Sequence, residues 1–504
     1  MKVRQICMMV LFGLGVIPAV QAQTFDKLWK EVEQAEKKSL PKTVIKLTDE
    51  IYQKGEKERN SAQMLKAYMW RMKTQDILTP DSFYVGLRDL EQWAKQTEQP
   101  MERAILHSLI AEFYANYAAD NQWQLRQRTE IVGETPSADI REWTANMFVE
   151  KVRTNVKEAL ADSLLLLKTS SRNYIPFVEL GETSEYYHHD MYHLLASRAV
   201  RALNQIERLE RGSFNGITVS PVKQDIINIY ERMADAYETA GLKEGYVLTM
   251  LQYLEWERGN DNKLQPVQLK KGLDEWTADT YNAALDELKR QFKSEPICAE
   301  VYLAQARYAV EKMQQVNALQ LCDEAFRLYP GYRRINALKN LREEILAPFL
   351  NVSAVSQAFP NEEIKLNVGH KNLDGFTVRL YQAKKLVKEQ HYSVLRPKDY
   401  RAKDTVFTFK APDLGTYVMR IIPDIRAKRD SESKFNVTRF KVLTCRLPEN
   451  QYEVVTLDGQ TGHPIPNAKV TLYSNDEKVL QEFTTDKEGK VVFLRNAKYR
   501  YLKA

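Results

Sequence analysis

The chain has 504 residues, 44% of them hydrophobic and 28% charged, with a formal net charge of +6. That length supports several domains with sizeable cores. The weak net charge and the lack of a basic block argue against nucleic acid as a partner. Four cysteines in so long a chain exclude a fold held together by disulfides.

Met1 to Ala22 opens with Lys2 and Arg4, runs apolar from Ile6 to Val16, and ends Val20-Gln-Ala22 before Gln23. A basic start, a short apolar core and small residues at the end are the pattern of a secretory signal peptide. No later run approaches the ~20 apolar residues of a membrane span, so no integral membrane segment is expected after cleavage. Loss of Lys2 and Arg4 leaves a charge of +6 − 2 = +4. Cys7 goes with the leader, and no cysteine follows the cleavage site for lipid attachment. The expectation is a soluble exported protein. Cys298, Cys322 and Cys445 remain, an odd set that cannot pair fully.

From Gln23 to Ala347 the hydrophobic period is helical. Val44, Leu47 and Ile51 form one stripe. Ile105, Leu109, Ala111, Phe113 and Tyr117 form a second, and Val152, Val156, Leu160, Leu164 and Leu167 a third. Helices are expected to end near Pro80 and Pro100. Trp70, Trp93, Trp123 and Trp143 are expected in packing. With Ala299 as first position, Tyr302, Ala306, Ala318, Ala325 and Pro330 fall where a tetratricopeptide repeat places an aromatic, small residues and a closing proline. Gln305 and Ala309 break that pattern. One repeat cannot bury both faces, so the preceding helices are expected to stack on it as a solenoid.

After Pro348 the period becomes two. Ile364, Leu366 and Val368 alternate, followed by Val378 and Leu380, Val406 with Phe407 and Phe409, Tyr417, Met419 and Ile421, and Val437 with Phe440 and Val442. Turn signals at Asn372-Leu-Asp-Gly375 and Pro412-Asp-Leu-Gly415 separate the runs, as in an antiparallel sandwich. Beyond Glu449, Val470 and Leu472 share one strand face, and Val491 and Phe493 share another. Asp486 to Gly489 supplies a turn, and Pro464 and Pro466 belong before a strand or on an edge. The resulting fold class is multidomain α then β: a leader at 1–22, an α-helical tetratricopeptide-like solenoid at 23–347, an Ig-like β-sandwich at 348–446, and a second sandwich at 449–504 that is incomplete at its C-terminus.

Three segments carry a family resemblance. They are Thr183-Ser-Glu-Tyr-Tyr-His-His-Asp-Met-Tyr-His-Leu-Leu195, Gly369-His-Lys-Asn-Leu-Asp-Gly-Phe-Thr-Val-Arg-Leu-Tyr381, and Asp458-Gly-Gln-Thr-Gly462 with Thr485-Asp-Lys-Glu-Gly489. In that order they resemble the N-terminal part of a Bacteroidetes-type bacterial alpha-2-macroglobulin family protein. The resemblance covers the mature chain. It implies macroglobulin-type sandwiches, a periplasmic or cell-envelope location, and a broad-range endopeptidase inhibitor with proteases as partners. Members trap proteases by cleavage of a bait segment, and many then capture the attacker through a Cys-x-Glu-Gln thioester. No Cys-x-Glu-Gln occurs here: Cys298 precedes Ala-Glu-Val, Cys322 precedes Asp-Glu-Ala, and Cys445 precedes Arg-Leu-Pro. A bait and a thioester, where a member has them, would lie beyond Ala504.

His188-His189-Asp190-Met191-Tyr192-His193 is the sharpest chemical candidate. On a helix His189 and His193 sit one turn apart, as in H-E-x-x-H zinc proteases, with Asp190 in place of the general-base Glu. Asp is one methylene short, and no third ligand stands out among His107, His370, His391, His463, Glu182 and Glu185. The reading taken is a Tyr/His-rich helix face with ring nitrogens bonded to backbone. No catalytic, cofactor-binding or metal residue is assigned, no cofactor is expected, and the chain is read as non-enzymatic. Cys298 and Cys322 are read as core thiols. The alternatives are an exported scaffold binding another envelope protein, and a zinc enzyme using the HDxxH segment.

Overall fold

The computed structural model describes residues 17–79, 82–129, 137–179, 181, 184, 188–210, 220–259, 280–425 and 431–504. The leader as far as Val16, Pro80, Glu182, Thr183 and Glu185 to Tyr187 lie outside them. The chain is α then β. It divides into two compact units, residues 1–304 and 305–504, so the change of period at Ala347–Pro348 falls inside the second.

In the first unit the helices are α1 (Ile17–Lys37), α2 (Pro41–Lys57), α3 (Ser61–Leu78), α4 (Ser82–Gln96), α5 (Pro100–Asp120), α6 (Gln122–Gln127), α7 (Ala145–Ala159), α8 (Ser163–Lys168), α9 (Met191–Glu207), α10 (Pro221–Thr239), α11 (Lys243–Gly259) and α12 (Thr280–Gln291). Helix α13 (Cys298–Glu311) carries the division. Local chemistry sets their starts. Pro41, Pro100 and Pro221 occupy first-turn positions, where the missing N–H costs nothing. Asn60, Asp162, Asp190 and Ser220 cap α3, α8, α9 and α10 by accepting the N–H three residues on. Phe25, Trp29 and Val32 of α1, Val44 and Ile51 of α2 and Ala67 of α3 bury one another.

The third stripe is not one helix. Helix α7 ends at Ala159, and Asp162 starts α8 by accepting the Leu165 N–H at 3.0 Å. The new axis turns Leu164 outward, 67% exposed, and puts Leu166 in the core. Trp123 also departs from expectation: it is 73% exposed.

The second unit contains α14 (Gln315–Leu328), α15 (Ile335–Leu346) and the fourteen strands found among the described residues. Ala306, Ala318 and Ala325 are fully buried, so the small residues of the repeat pattern are core residues. The first eight strands are β1 (Phe349–Ser353), β2 (Gln357–Ala358), β3 (Glu363–Lys371), β4 (Gly375–Gln382), β5 (Lys385–Ser393), β6 (Lys403–Lys410), β7 (Gly415–Pro423) and β8 (Ser431–Val437). They make a three-stranded sheet, β1-β3-β6, and a five-stranded sheet, β2-β8-β7-β4-β5. Ile364, Leu366 and Val368 from the first sheet and Val378, Leu380, Tyr417, Met419 and Ile421 from the second share one core. The parity at β6 is fixed by the same rule: Phe409 points in, while Val406 is 57% exposed. The Asn372 amide reaches back to the carbonyl of Ile345 at 2.9 Å, and Lys371 Nζ to that of Glu344 at 3.0 Å. These donors serve carbonyls left open at the end of α15.

The last strands are β9 (Phe440–Leu447), β10 (Gln451–Asp458), β11 (Lys469–Tyr473), β12 (Val479–Thr484), β13 (Lys490–Leu494) and β14 (Tyr501–Lys503). They form two three-stranded sheets, β13-β10-β9 and β12-β11-β14. Phe440 and Val442 thus belong to β9, which pairs with β10 along its whole length, rather than with the first sandwich. Val454, Val470 and Leu472 are buried. Buried Thr456 donates to the Ile465 carbonyl at 2.8 Å, and Thr485 Oγ1 reaches the same carbonyl at 3.2 Å. The Asp486 carboxylate accepts the N–H groups of Glu488 and Lys490, closing the expected turn. Gly489 takes φ +71 there, and a Cβ on it would stand 2.4 Å from the Thr456 carbonyl.

Candidate functional site

The HDxxH segment does not lie on a helix from its start. Residues 189–191 run extended against residues 169–171: the Ser171 N–H donates to the His189 carbonyl at 3.0 Å and the Met191 N–H to the Thr169 carbonyl at 2.8 Å. Helix α9 begins only at Met191. His189 therefore precedes the helix, and the one-turn relation between His189 and His193 that a zinc pair requires is absent.

Asp190 is the N-cap instead. Its Oδ1 accepts the His193 N–H at 2.7 Å, and its carboxylate also receives the Tyr237 hydroxyl at 3.0 and 2.9 Å. His188 Nδ1 stands 2.7 Å from Asp190 Oδ2. Both Asp190 and Tyr237 are buried. Burial, then the Asp190 charge, pushes the Tyr237 phenol upward. The carboxylate is committed to holding three neighbours and is not turned toward an open site. His193 is fully buried, with Nε2 3.2 Å from Gln252 Oε1. Burial lowers its pKa to about 4, against an opposing pull from Asp190. The ring nitrogens of His188 and His193 face side chains, Asp190 Oδ2 and Gln252 Oε1 respectively. Among the described residues no group of three His, Cys, Asp or Glu side chains comes together in a metal-binding arrangement.

The other sequence candidates are dispersed. His107 faces Asn155 Oδ1 at 2.8 Å, His370 faces Thr405 at 3.1 Å, and His391 faces Asp424 at 3.1 Å. Cys298 and Cys322 are buried thiols and Cys445 is an exposed one. Burial pushes Cys322 up to about 11, which keeps it protonated and unreactive at neutral pH.

What the helical unit does offer is a groove of about 790 Å³ beside this knot. One face of α9 supplies Val200, Arg201, Asn204 and Gln205, with Arg208 just past its end. Helix α11 contributes Gln252, Glu255 and Trp256, and Gln122 of α6 lies on the rim. The Trp256 indole donates to Asn204 Oδ1 at 2.9 Å. An indole N–H can only donate, so Asn204 must turn its NH2 the other way. Glu255 is already bound by Arg258 at 2.6 Å and by the Tyr281 hydroxyl at 2.8 Å. The guanidiniums of Arg201 and Arg208 have no carboxylate partner among the described residues. Gln252 links the two features, since the same side chain faces His193 and lines the groove. Sequence reasoning missed these residues. Their only signal was polar spacing along α9, which an ordinary solvated helix face shares.

A second buried carboxylate was equally invisible. Glu102 accepts hydrogen bonds from Trp93 Nε1 at 2.9 Å, from Thr97 at 2.6 Å, and from Ser61. These donors satisfy it internally, so it reads as a structural anchor.

Among the described residues no helix is long and apolar enough to cross a membrane. No family model matches the sequence, and no curated protein matches it. Solved structures with some likeness include two fragments of native alpha-2-macroglobulin from Escherichia coli. The fragment spanning domains MG0-NIE-MG1 is 16% identical with a TM-score of 0.26, covering 31% of this chain and 60% of that one. The fragment spanning NIE-MG1 is 14% identical with a TM-score of 0.24, covering 31% of this chain and 91% of that one.

Proposed function

We propose that this chain is the N-terminal region of an exported alpha-2-macroglobulin-like protein, a broad-range endopeptidase inhibitor of the periplasm or cell envelope. The observation that carries the reading is the succession of a helical part and then two sets of paired sheets, β1-β3-β6 with β2-β8-β7-β4-β5 and β13-β10-β9 with β12-β11-β14. Residues 188–195 of the first resembling segment fall in the helical part, the second segment in β3 and β4, and the third among the last strands, in the family's order. In this reading the leader is residues 1–22, the helices to residue 347 form a tetratricopeptide-like solenoid, and the sandwiches from residue 348 onward are macroglobulin domains. The described region serves as frame, without catalytic residues or cofactor, and proteases are the partners. Cys-x-Glu-Gln is missing from the sequence, so this stretch forms no thioester conjugate with a protease.

A trap excludes large substrates from a captured protease while leaving small ones access. The test is to incubate the protein, as its organism makes it, with trypsin. Casein hydrolysis should fall several-fold while hydrolysis of a small chromogenic peptide persists. Unchanged casein hydrolysis, or equal loss of both activities, sinks the reading. The groove on α9 favours a second reading, a scaffold that binds another envelope protein. In that case casein hydrolysis is unaffected.

A further inference from the structure

We propose that the groove along α9 binds an extended, acidic peptide segment. Its chemistry is weighted toward donors, although Gln205 gives its NH2 to Asn116 at 2.9 Å and so offers an acceptor, Oε1. Arg201 and Arg208 present guanidiniums with no carboxylate partner among the described residues. Asn204 is held by the Trp256 indole so that its amide NH2 is left for a ligand. Gln252 faces His193 through Oε1, which leaves its NH2 as a further donor. The one carboxylate on the groove, Glu255, is engaged by Arg258 and Tyr281. The groove is thus rich in donors and net positive, and it fits a ligand made of carbonyls and carboxylates.

Spacing points to an extended chain. Arg201 on α9 and Arg208, the C-cap residue with helical dihedrals just past its end, are seven positions apart, roughly 10.5 Å along the axis at 1.5 Å per residue. An extended peptide in the polyproline II conformation rises roughly 3.1 Å per residue with three residues per turn, so acidic side chains three residues apart lie on one side, roughly 9.3 Å apart, and meet both guanidiniums. The amide donors between them then meet the intervening backbone carbonyls. The aromatic residues favour peptide over an acidic glycan. Tyr230 is buried, and its ring is tilted 44° to that of Trp256 with centroids 6.2 Å apart. The pair gives no flat, open platform for a sugar ring. The inference goes beyond the trap reading and stands or falls separately from it.

The probe is fluorescein-labelled Gly-Glu-Ser-Val-Glu-Gly, followed by fluorescence anisotropy with the intact mature protein at low salt. A matched peptide with both Glu replaced by Lys is the control. The acidic peptide should bind, weaken as salt rises, and lose about tenfold in affinity when Arg201→Gln and Arg208→Gln are combined. Both side chains are exposed, and an unchanged circular dichroism spectrum confirms that the variant folds. Arg201→Lys with Arg208→Lys should recover part of the loss, because charge is kept while the fork geometry is not. The proposal is overturned if the acidic peptide fails to bind at millimolar concentration, if the Lys peptide binds as well, or if the double variant binds unchanged. Stronger competition by oligogalacturonate than by unlabelled peptide overturns it too, in favour of an acidic glycan.

Discussion

At the scale of single residues, Asp190 is the pivot of the helical unit. It caps α9, receives the Tyr237 hydroxyl and faces His188. Removing it loses a cap, worth about 1 kcal/mol, and strands a buried hydroxyl, at about 1–3 kcal/mol. Asp190→Ala should therefore destabilise the protein by about 2–4 kcal/mol in urea unfolding. Asp190→Asn keeps an oxygen at the cap and should cost less than half as much. Equal costs would show that the cap contributes little. His193 gives the knot a pH signature. Burial holds its folded pKa at about 4, below the ordinary 6.5. The folded state therefore binds fewer protons than the unfolded one. Its contribution is fully present above the unfolded pKa and is lost as pH falls from 6.5 toward 4. Asp190 and Glu244 pull the ring pKa up and His188 pulls it down, yet burial dominates. Between pH 7 and pH 5 the parent should lose roughly 2 kcal/mol more than His193→Gln does. Parallel stability profiles for the two proteins would refute this.

At the scale of elements, packing between α10 and α11 depends on a missing side chain. A Cβ on Gly245 would stand 2.4 Å from the Tyr237 ring, and Asp190 prevents that ring from stepping aside. Gly245→Ala gains about 1 kcal/mol in helix propensity, but overpacking costs about 1–3 kcal/mol. Thermal unfolding should occur at lower temperature in the variant, and a rise would mean that the helices separate easily. Periodicity made most elements legible. Val44 and Ile51 of α2, Val152 and Val156 of α7 and Ile364, Leu366 and Val368 of β3 are buried as their spacing requires. Errors came where local chemistry overrode the period. Asp162 restarted a helix and turned Leu164 outward. Asp190 was read as a helix-interior residue because two histidines flanked it, although an Asp before an apolar run is also a capping signal. Long-range pairings had no local signal at all: Ser61 lies 41 residues from Glu102, and Asp190 lies 47 from Tyr237. The α9 groove was illegible for the same reason, since it assembles residues from α6, α9 and α11.

At the scale of the molecule, the second unit joins α14 and α15 to both sets of sheets. Arg401 Nε donates to the Met313 carbonyl at 2.7 Å, Asn372 closes the end of α15, and β9 carries the chain into the last sheets. Thr456 and Thr485 tie residues 456, 465, 485 and 489 together. Limited proteolysis should therefore leave α14 through β14 as one resistant fragment, since cleavage follows low local stability. Release of residues 449–504 alone, with the first sandwich intact, would show that the last sheets do not hold.

The claim on which the functional reading rests is that the protein engages proteases as a trap. A trap closes only after it is cut, so capture must depend on protease activity. Native mass spectrometry of the protein, as its organism makes it, mixed with trypsin and with active-site-blocked trypsin, tests this directly. The trap reading predicts a complex with the active protease and none with the blocked one. A complex with both, or with neither, contradicts it.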